Sequence, residues 1–249
     1  MNDLIDPYVI GVLPGAFVAL SLGVLLLGLL ALTLKMSFIL GFLGSLIVGT
    51  LVAVVSLKYG LRGTLIIGIG ISLSLQGIAS ILAYLASAAS NRPFLPMLLG
   101  TTEYVTWNVL IYVLIIGTIS TLLIWILSWK ISALEYGEDF TESFRINYKR
   151  VLGISIILSS ASAGAAVGCC GIIPFLGLIS ANIAKRLSPL KPSGEILYSI
   201  IIASMVMTIS DTLASVIVTP YGSLPVGAFL SFIGGLALVI LILFEGGIV

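Results

Sequence analysis

"GIIPFLGLISANIAKRL", residues 171–187, is an apolar run that ends on two cations, Lys185 and Arg186. A straight helix over Gly171–Ala184, rising about 1.5 Å per residue, falls short of a ~30 Å hydrocarbon core. The stretch carries Pro174 and two glycines, Gly171 and Gly177. Its start is therefore expected below the membrane surface, packed among other helices. Irregular backbone at that depth is tolerated only where protein or a water-filled cavity surrounds it. Two readings stay open. Pro174 and Gly177 belong to an element lining a translocation pathway, or the stretch is an ordinary kinked helix.

The rest of the chain agrees that the bilayer is the solvent. Hydrophobic residues make up 59% of the 249 positions and charged residues 8%, with mean hydropathy +1.27. A soluble domain carries about 25% charged residues. The net charge of +1 gives no bulk attraction to nucleic acid. Histidine is absent, which removes the commonest metal ligand and the usual neutral-pH acid–base group. The adjacent Cys169 and Cys170 suit neither an unstrained disulfide nor a metal site, and read as small buried apolar side chains. No metal site and no catalytic residue is expected. The first apolar run is long and lacks a basic leader, so it reads as a span rather than a signal peptide.

Eight apolar runs are long enough, or nearly so, to be spans: Val9–Leu34, Phe38–Leu57, Leu65–Ala86, Val109–Trp129, Val151–Val167, Gly171–Ala184, Leu197–Val218 and Val226–Phe244. The expected fold is an all-α polytopic membrane protein of about eight transmembrane helices, one of them short or broken. Alternate connections hold Lys58 and Arg62; Lys130, Arg145, Lys149 and Arg150; and Lys185, Arg186 and Lys191. The opposite set holds only Lys35 and Arg92. The positive-inside rule then places both termini in the cytoplasm. Lys185 and Arg186 become cytoplasmic anchors.

Three features invite a functional reading. The polar stretch within 132–150 holds Glu135, Glu138, Asp139 and Glu142, followed by Arg145, Lys149 and Arg150. A short helix is expected after Gly137, with Glu138 and Asp139 at its N-terminus as the helix dipole prefers. Phe140 and Phe144, four apart, would share one face, beside Thr141. A solvated linker is the plain alternative. Second, Asp211 is an ionisable residue about 10 Å inside the seventh span at helical rise, a functional candidate by default. Third, Ser72, Gln76 and Ser80 recur at four-residue spacing in the third span. Such a stripe is either helix-packing glue or a pathway lining.

From Gly171 onward, "GIIPFLGLISANIAKRL", "ISDTLASVIVTPYGSLPVG" and a last apolar span follow one another in a specific order. This order resembles the FecCD-type permease subunits of ABC importers for iron siderophores, heme and vitamin B12. There the matching stretches read G-x-I-x-F-V-G-L-I-x-P-H-x-x-R and A-D-x-x-A-R…P-x-E-L-P-V-G. Leu224–Gly227, Asp211, Gly177–Ile179, Gly171, Ile173 and Phe175 fit. Near the front, "NDLIDPYVIGVLPGA" is similar to N-P-L-A-D-P-Y-x-L-G-V-S-S-G-A. "YGEDFTESFRIN" is similar to the family's cytoplasmic G-x-x-x-A-x-x-L-G loop.

The resemblance implies a single permease domain over 1–249, with 132–150 as its ATPase-coupling loop. Family members have ten spans, and two precede the N-terminal motif that here begins at Asn2. The chain is therefore expected to lack the first two. Implied partners are a second permease, identical or not, two cytoplasmic ATPase subunits, an extracytoplasmic substrate-binding protein and membrane lipid. ATP and magnesium would sit on the ATPase, with no cofactor on this chain. Asn2 and Leu4 match residues near the family's cytoplasmic gate. The stripe Ser72, Gln76 and Ser80 falls on a pathway helix.

Two positions depart from the family pattern. Its arginine four residues after Asp211 is Ser215 here, so Asp211 is expected to be neutral and bonded to Ser215 or a backbone carbonyl. Its Pro-His pair is Ala181 and Asn182. Arg92 and Glu103 remain as outer charges for the binding protein to meet. The expected function is uptake of an iron chelate, heme or cobalamin-type metal complex across the cell membrane. A stand-alone secondary transporter or channel, which predicts paired intramembrane charges, and a non-transporting remnant are the alternatives.

Overall fold

The computed structural model describes residues 6–90, 94–103, 105–188, 192–219 and 222–245. The chain is almost wholly helical. Helix α1 spans Val12–Leu27 and passes through a 3-10 turn, Gly28–Leu32, into α2, Leu34–Ser90. A short α3, Leu95–Leu98, precedes α4, Trp107–Ala133. Then follow α5 (Glu138–Ser143), α6 (Tyr148–Cys170), α7 (Leu176–Leu187) and α8 (Pro192–Val216). A two-residue antiparallel ladder, β1 (Val218–Thr219) on β2 (Gly222–Ser223), leads to α9, Val226–Glu245.

The eight expected spans appear in order: α1, the two limbs of α2, α4, α6, α7, α8 and α9. Among the described residues, five helices are long and apolar enough to cross a bilayer: Lys35–Gly60, Gly63–Ala88, Trp107–Ala133, Tyr148–Cys170 and Pro192–Val216. Helix α1 has 16 residues and α7 has 12. The differences from the sequence reading have local causes. The first run does not stay helical to Leu34, because Gly28 turns to φ 59° and closes α1. No loop separates the second and third spans. The backbone breaks at Gly60 alone (φ 66°, ψ −175°), a conformation that glycine adopts without steric cost. Helix α8 starts five residues before Leu197 because Pro192 occupies its first position, where a missing N–H costs nothing. Helix α6 starts at Tyr148 because the Asn147 side chain accepts a 2.9 Å hydrogen bond from the Arg150 amide.

Helices pack through stripes of small residues. Gly41, Ser45 and Gly49 on the first limb of α2 face Ser160, Gly164 and Gly168 on α6. A Cβ on Gly41 would stand 2.8 Å from the Gly168 Cα, and one on Gly168 would stand 2.7 Å from the Phe38 Cα. On the other side of α2, Gly44 lies against Gly15, Ala16 and Ala19 of α1. Small residues let helix backbones approach closely, which supplies the dispersion contacts that lipid solvent does not drive. Around this seam lies the main core, with Phe17, Leu20, Val12 and Val24 on α1, Val52 on α2 and Val167 on α6. By contrast α8 buries only Ser210 and Ala214, and α4 only Val109, Ser120, Ser128 and Ala133. The exposed threonine hydroxyls on α8 are satisfied within the helix. Thr208 donates to the Ser204 carbonyl and Thr212 to the Thr208 carbonyl, each at 2.8 Å.

Candidate functional site

Two interrupted helix starts meet inside the chain. The first is the turn over residues 7–11 ahead of α1, closed by Gly11 at φ 88°. The second is the irregular stretch Gly171–Phe175 ahead of α7, where Gly171 (φ 72°) and Phe175 (φ 62°) are left-handed. That conformation costs a non-glycine residue roughly 1–2 kcal/mol. Gly171, Ile172 and Pro174 are buried. The sixth span is thus broken at its start and surrounded by protein, as its length and its proline required.

Asp6 joins the two starts. It is 4% exposed. Its Oδ1 accepts from the Tyr8 amide at 2.8 Å, and its Oδ2 from the Leu178 amide at 3.0 Å, across 172 positions of sequence. Leu178 lies in the first turn of α7, whose amide donors have no partner within the helix, and Phe175 contributes no side-chain cap. Asp6 therefore caps α7 from a distant segment, one of its oxygens taking up a first-turn amide. A Cβ on Gly177 would stand 3.1 Å from Asp6 Oδ2.

Tyr8 extends the group to the second limb of α2. Ser72 Oγ donates to the Tyr8 carbonyl at 2.8 Å, and Gln76 Nε2 donates to the Tyr8 hydroxyl at 2.6 Å. The Tyr8 ring meets the Phe175 ring with centroids 5.6 Å apart. Two members of the polar stripe, Ser72 and Gln76, thus hold the N-terminal turn. Ser80 is exposed and donates to the Gln76 carbonyl of its own helix at 2.9 Å. Asn182 donates from Nδ2 to the Leu178 carbonyl at 3.0 Å. Asn2 and Leu4 lie outside the described residues. Sequence reasoning did not single out Asp6 or Tyr8, although both stand in the quoted "NDLIDPYVIG". The available signal was an acid with no cation near it, just ahead of a glycine-punctuated apolar run.

A second group gathers where α4 begins. Thr102 Oγ1 donates to Asp211 Oδ1 at 2.5 Å. This corrects the partner expected for Asp211, since Ser215 Oγ donates to the Thr212 carbonyl of its own turn instead. Hydroxyls one turn along a helix reach their own backbone more readily than a neighbour's carboxylate. Glu103 is not a free charge. Its Oε1 accepts from the Ser223 amide at 3.4 Å and from the Ser223 hydroxyl, tying the loop to the β ladder. Arg92 lies outside the described residues. The Thr101 amide donates to the Cys170 carbonyl at 2.8 Å, and the Gly227 amide to the Gly100 carbonyl at 3.2 Å. Gly100, Gly171 and Gly227 allow this approach, since a Cβ on any of them would overlap a carbonyl oxygen of a neighbouring segment.

At the opposite end of α4 lies α5. Gly137 (φ 95°) precedes it, and Glu138 and Asp139 fill its first turn. Thr141 is fully buried and donates to the Glu138 carbonyl at 2.8 Å and the Gly137 carbonyl at 3.1 Å. Glu138 pairs with Lys149 at 3.6 Å, a surface contact that contributes at most about 1 kcal/mol. Phe140 and Phe144 are exposed, with ring centroids 5.0 Å apart, and Tyr136 stands 4.9 Å from Phe140. With Trp129, Ala133 and Pro192 they line an open apolar groove.

Comparison with known proteins decides the family. The family model for the FecCD transport family matches residues 1–244. This chain belongs to the FecCD transport family. A probable siderophore transport system permease protein of Bacillus subtilis is 26% identical over 244 residues, covering 94% of this chain and 69% of the relative. The hemin transport system permease protein of Yersinia pestis is 25% identical over 241 residues, covering 94% and 71%. A solved chain assigned to a metal-chelate type ABC transporter in an inward-facing conformation superposes with a TM-score of 0.80. It is 19% identical, and the match covers 97% of this chain and 77% of that one. That likeness establishes the fold. The FecCD chain described here is accordingly an integral membrane protein of transport-permease architecture.

Proposed function

We propose that this FecCD chain is the transmembrane permease subunit of an ATP-driven importer for a metal chelate of the siderophore or heme class. The observation that carries this is the family match over residues 1–244, joined to eight helices in the expected order. The transport systems to which its relatives are assigned, for siderophore and for hemin, point to the substrate class.

In this reading the chain does no bond chemistry. ATP and magnesium are bound by a separate subunit, two copies of which dock at the α5 end. Phe140 and Phe144 supply an exposed aromatic pair there, on a helix anchored from below by the buried Thr141. A second permease completes the passage. A substrate-binding protein meets the opposite end, near Glu103 and the β ladder. Both termini are cytoplasmic, on the strength of the cation distribution. The stand-alone transporter reading finds little support, since Asp211 is bonded to a threonine hydroxyl rather than to an intramembrane cation.

The test is reconstitution in vesicles with the cognate ATPase and binding protein. ATP-dependent accumulation of an iron chelate is the expected result. Accumulation without the ATPase, driven by an ion gradient, would replace this reading with the secondary-transporter one.

A further inference from the structure

We propose that Asp6 is a positioning residue, holding the broken start of α7 and the second limb of α2 as one unit through Tyr8. The consequence for uptake rests on the transport reading above; the structural claim does not. Four hydrogen bonds and one ring contact form an unbroken path. It runs from the Leu178 amide to Asp6, from Asp6 to the Tyr8 amide, and from Tyr8 to Ser72 and Gln76. Phe175 closes the circuit with a tilted ring contact on Tyr8, interplanar angle 56°. The path joins segments that are otherwise distant in sequence, at two places where helices lack their own caps.

The geometry explains why a carboxylate stands at position 6. Two amides, one local and one on α7, need acceptors at the same point. A carboxylate presents two acceptor oxygens, whereas a carboxamide presents only one. Local capping of the residue 7–11 turn would need only Oδ1. The second oxygen serves α7 alone, so any shift of α7 against α2 must carry the Tyr8 turn with it or break the Oδ2 bond. The Tyr8 hydroxyl has the matching role on the other side. The ring packs on Phe175, while the hydroxyl, which packing does not need, accepts from Gln76. A group that merely filled space would not require either the second oxygen or the hydroxyl.

Hydrogen–deuterium exchange of the peptide over Phe175–Ser180, in the full chain in lipid nanodiscs, tests this directly. Asp6→Asn, Tyr8→Phe and Gln76→Leu should each speed exchange there by about tenfold, the loss of one buried hydrogen bond. Tyr8→Phe keeps the ring, and Gln76→Leu suits a membrane helix, so both variants should insert even if Asp6→Asn does not. Because Tyr8 and Gln76 act through one bond, the double variant should be no worse than either alone. In reconstituted vesicles the same variants should lower the maximal uptake rate and leave the half-saturating substrate concentration unchanged. Exchange at wild-type level in Tyr8→Phe and Gln76→Leu would overturn the proposal, as would a double variant whose defect is the sum of the singles. A raised half-saturating concentration at full maximal rate would also overturn it, placing these residues at substrate binding. Failure of the wild-type protein to transport would sink the importer reading and leave the exchange measurement to decide this one.

Discussion

Thr102 Oγ1 and Asp211 Oδ1 lie 2.5 Å apart, joining the loop before α4 to the C-terminal turns of α8 across 109 positions of sequence. Removing the donor and altering the acceptor should differ in cost. Thr102→Val leaves the carboxylate without this partner and should destabilise the protein by about 1–3 kcal/mol. Asp211→Asn retains a carbonyl oxygen that accepts the same bond and should cost less than about 1 kcal/mol. Thermal unfolding in detergent checks the order. If Asp211→Asn is the more damaging of the two, the carboxylate has a role beyond this bond.

The seam between α2 and α6 predicts a second result. Gly164 admits no Cβ, because Ser45 and the Gly41 carbonyl occupy the space. Gly164→Leu should cost at least ~1–3 kcal/mol through overpacking and separate α2 from α6. Size-exclusion chromatography should show loss of monodisperse protein. Gly153, with open space at its Cβ position on the same helix, serves as the comparison, and Gly153→Ala should behave like wild type.

Phe140 and Phe144 are exposed while Thr141 beneath them is buried, so α5 separates contact from anchorage. Changing both phenylalanines to Asp should leave the melting temperature within a degree or two, because little buried area is lost. Co-purification of the ATPase subunit should disappear. Undiminished co-purification would remove α5 from the docking surface.

Orientation can be read by labelling. In a variant lacking Cys169 and Cys170, a cysteine at Thr106 should react with an impermeant reagent added outside whole cells. A cysteine at Asn147 should react only after permeabilisation. Both positions are exposed and stand at opposite ends of the α4–α6 pair. The reverse pattern would invert the topology.

The order of the helices was legible because hydrocarbon imposes one simple demand on composition, and the runs around Phe38, Leu65, Val109 and Val151 meet it. The broken sixth span was legible for the same reason: Pro174 and the short run before Lys185 left too little helix. The sites were only partly legible. Ser72 and Gln76 stood out as polar residues at helical spacing, but their partner, the Tyr8 turn, is a tertiary contact that no spacing encodes. Asp211 stood out by its charge, while its true partner lay 109 positions away and its sequence neighbour Ser215 turned back onto its own helix. The small-residue stripes were written plainly, as Gly41–Ser45–Gly49 and Ser160–Gly164–Gly168, and a search for four-residue spacing of small residues would have paired α2 with α6.

Those stripes also bear on how the molecule can move. A contact made by side chains can adjust through rotamer changes, one residue at a time. Where Gly41 lies on the Gly168 backbone, and Gly44 on the Gly15 carbonyl, there are no rotamers to change. Such a joint either stays closed or comes apart. Helices α1 and α6 and the first limb of α2 therefore travel together, like a single rigid casting. Any alternation between open and closed forms is better absorbed at Gly60, where the backbone is interrupted and no neighbouring atom lies close to the Cβ position.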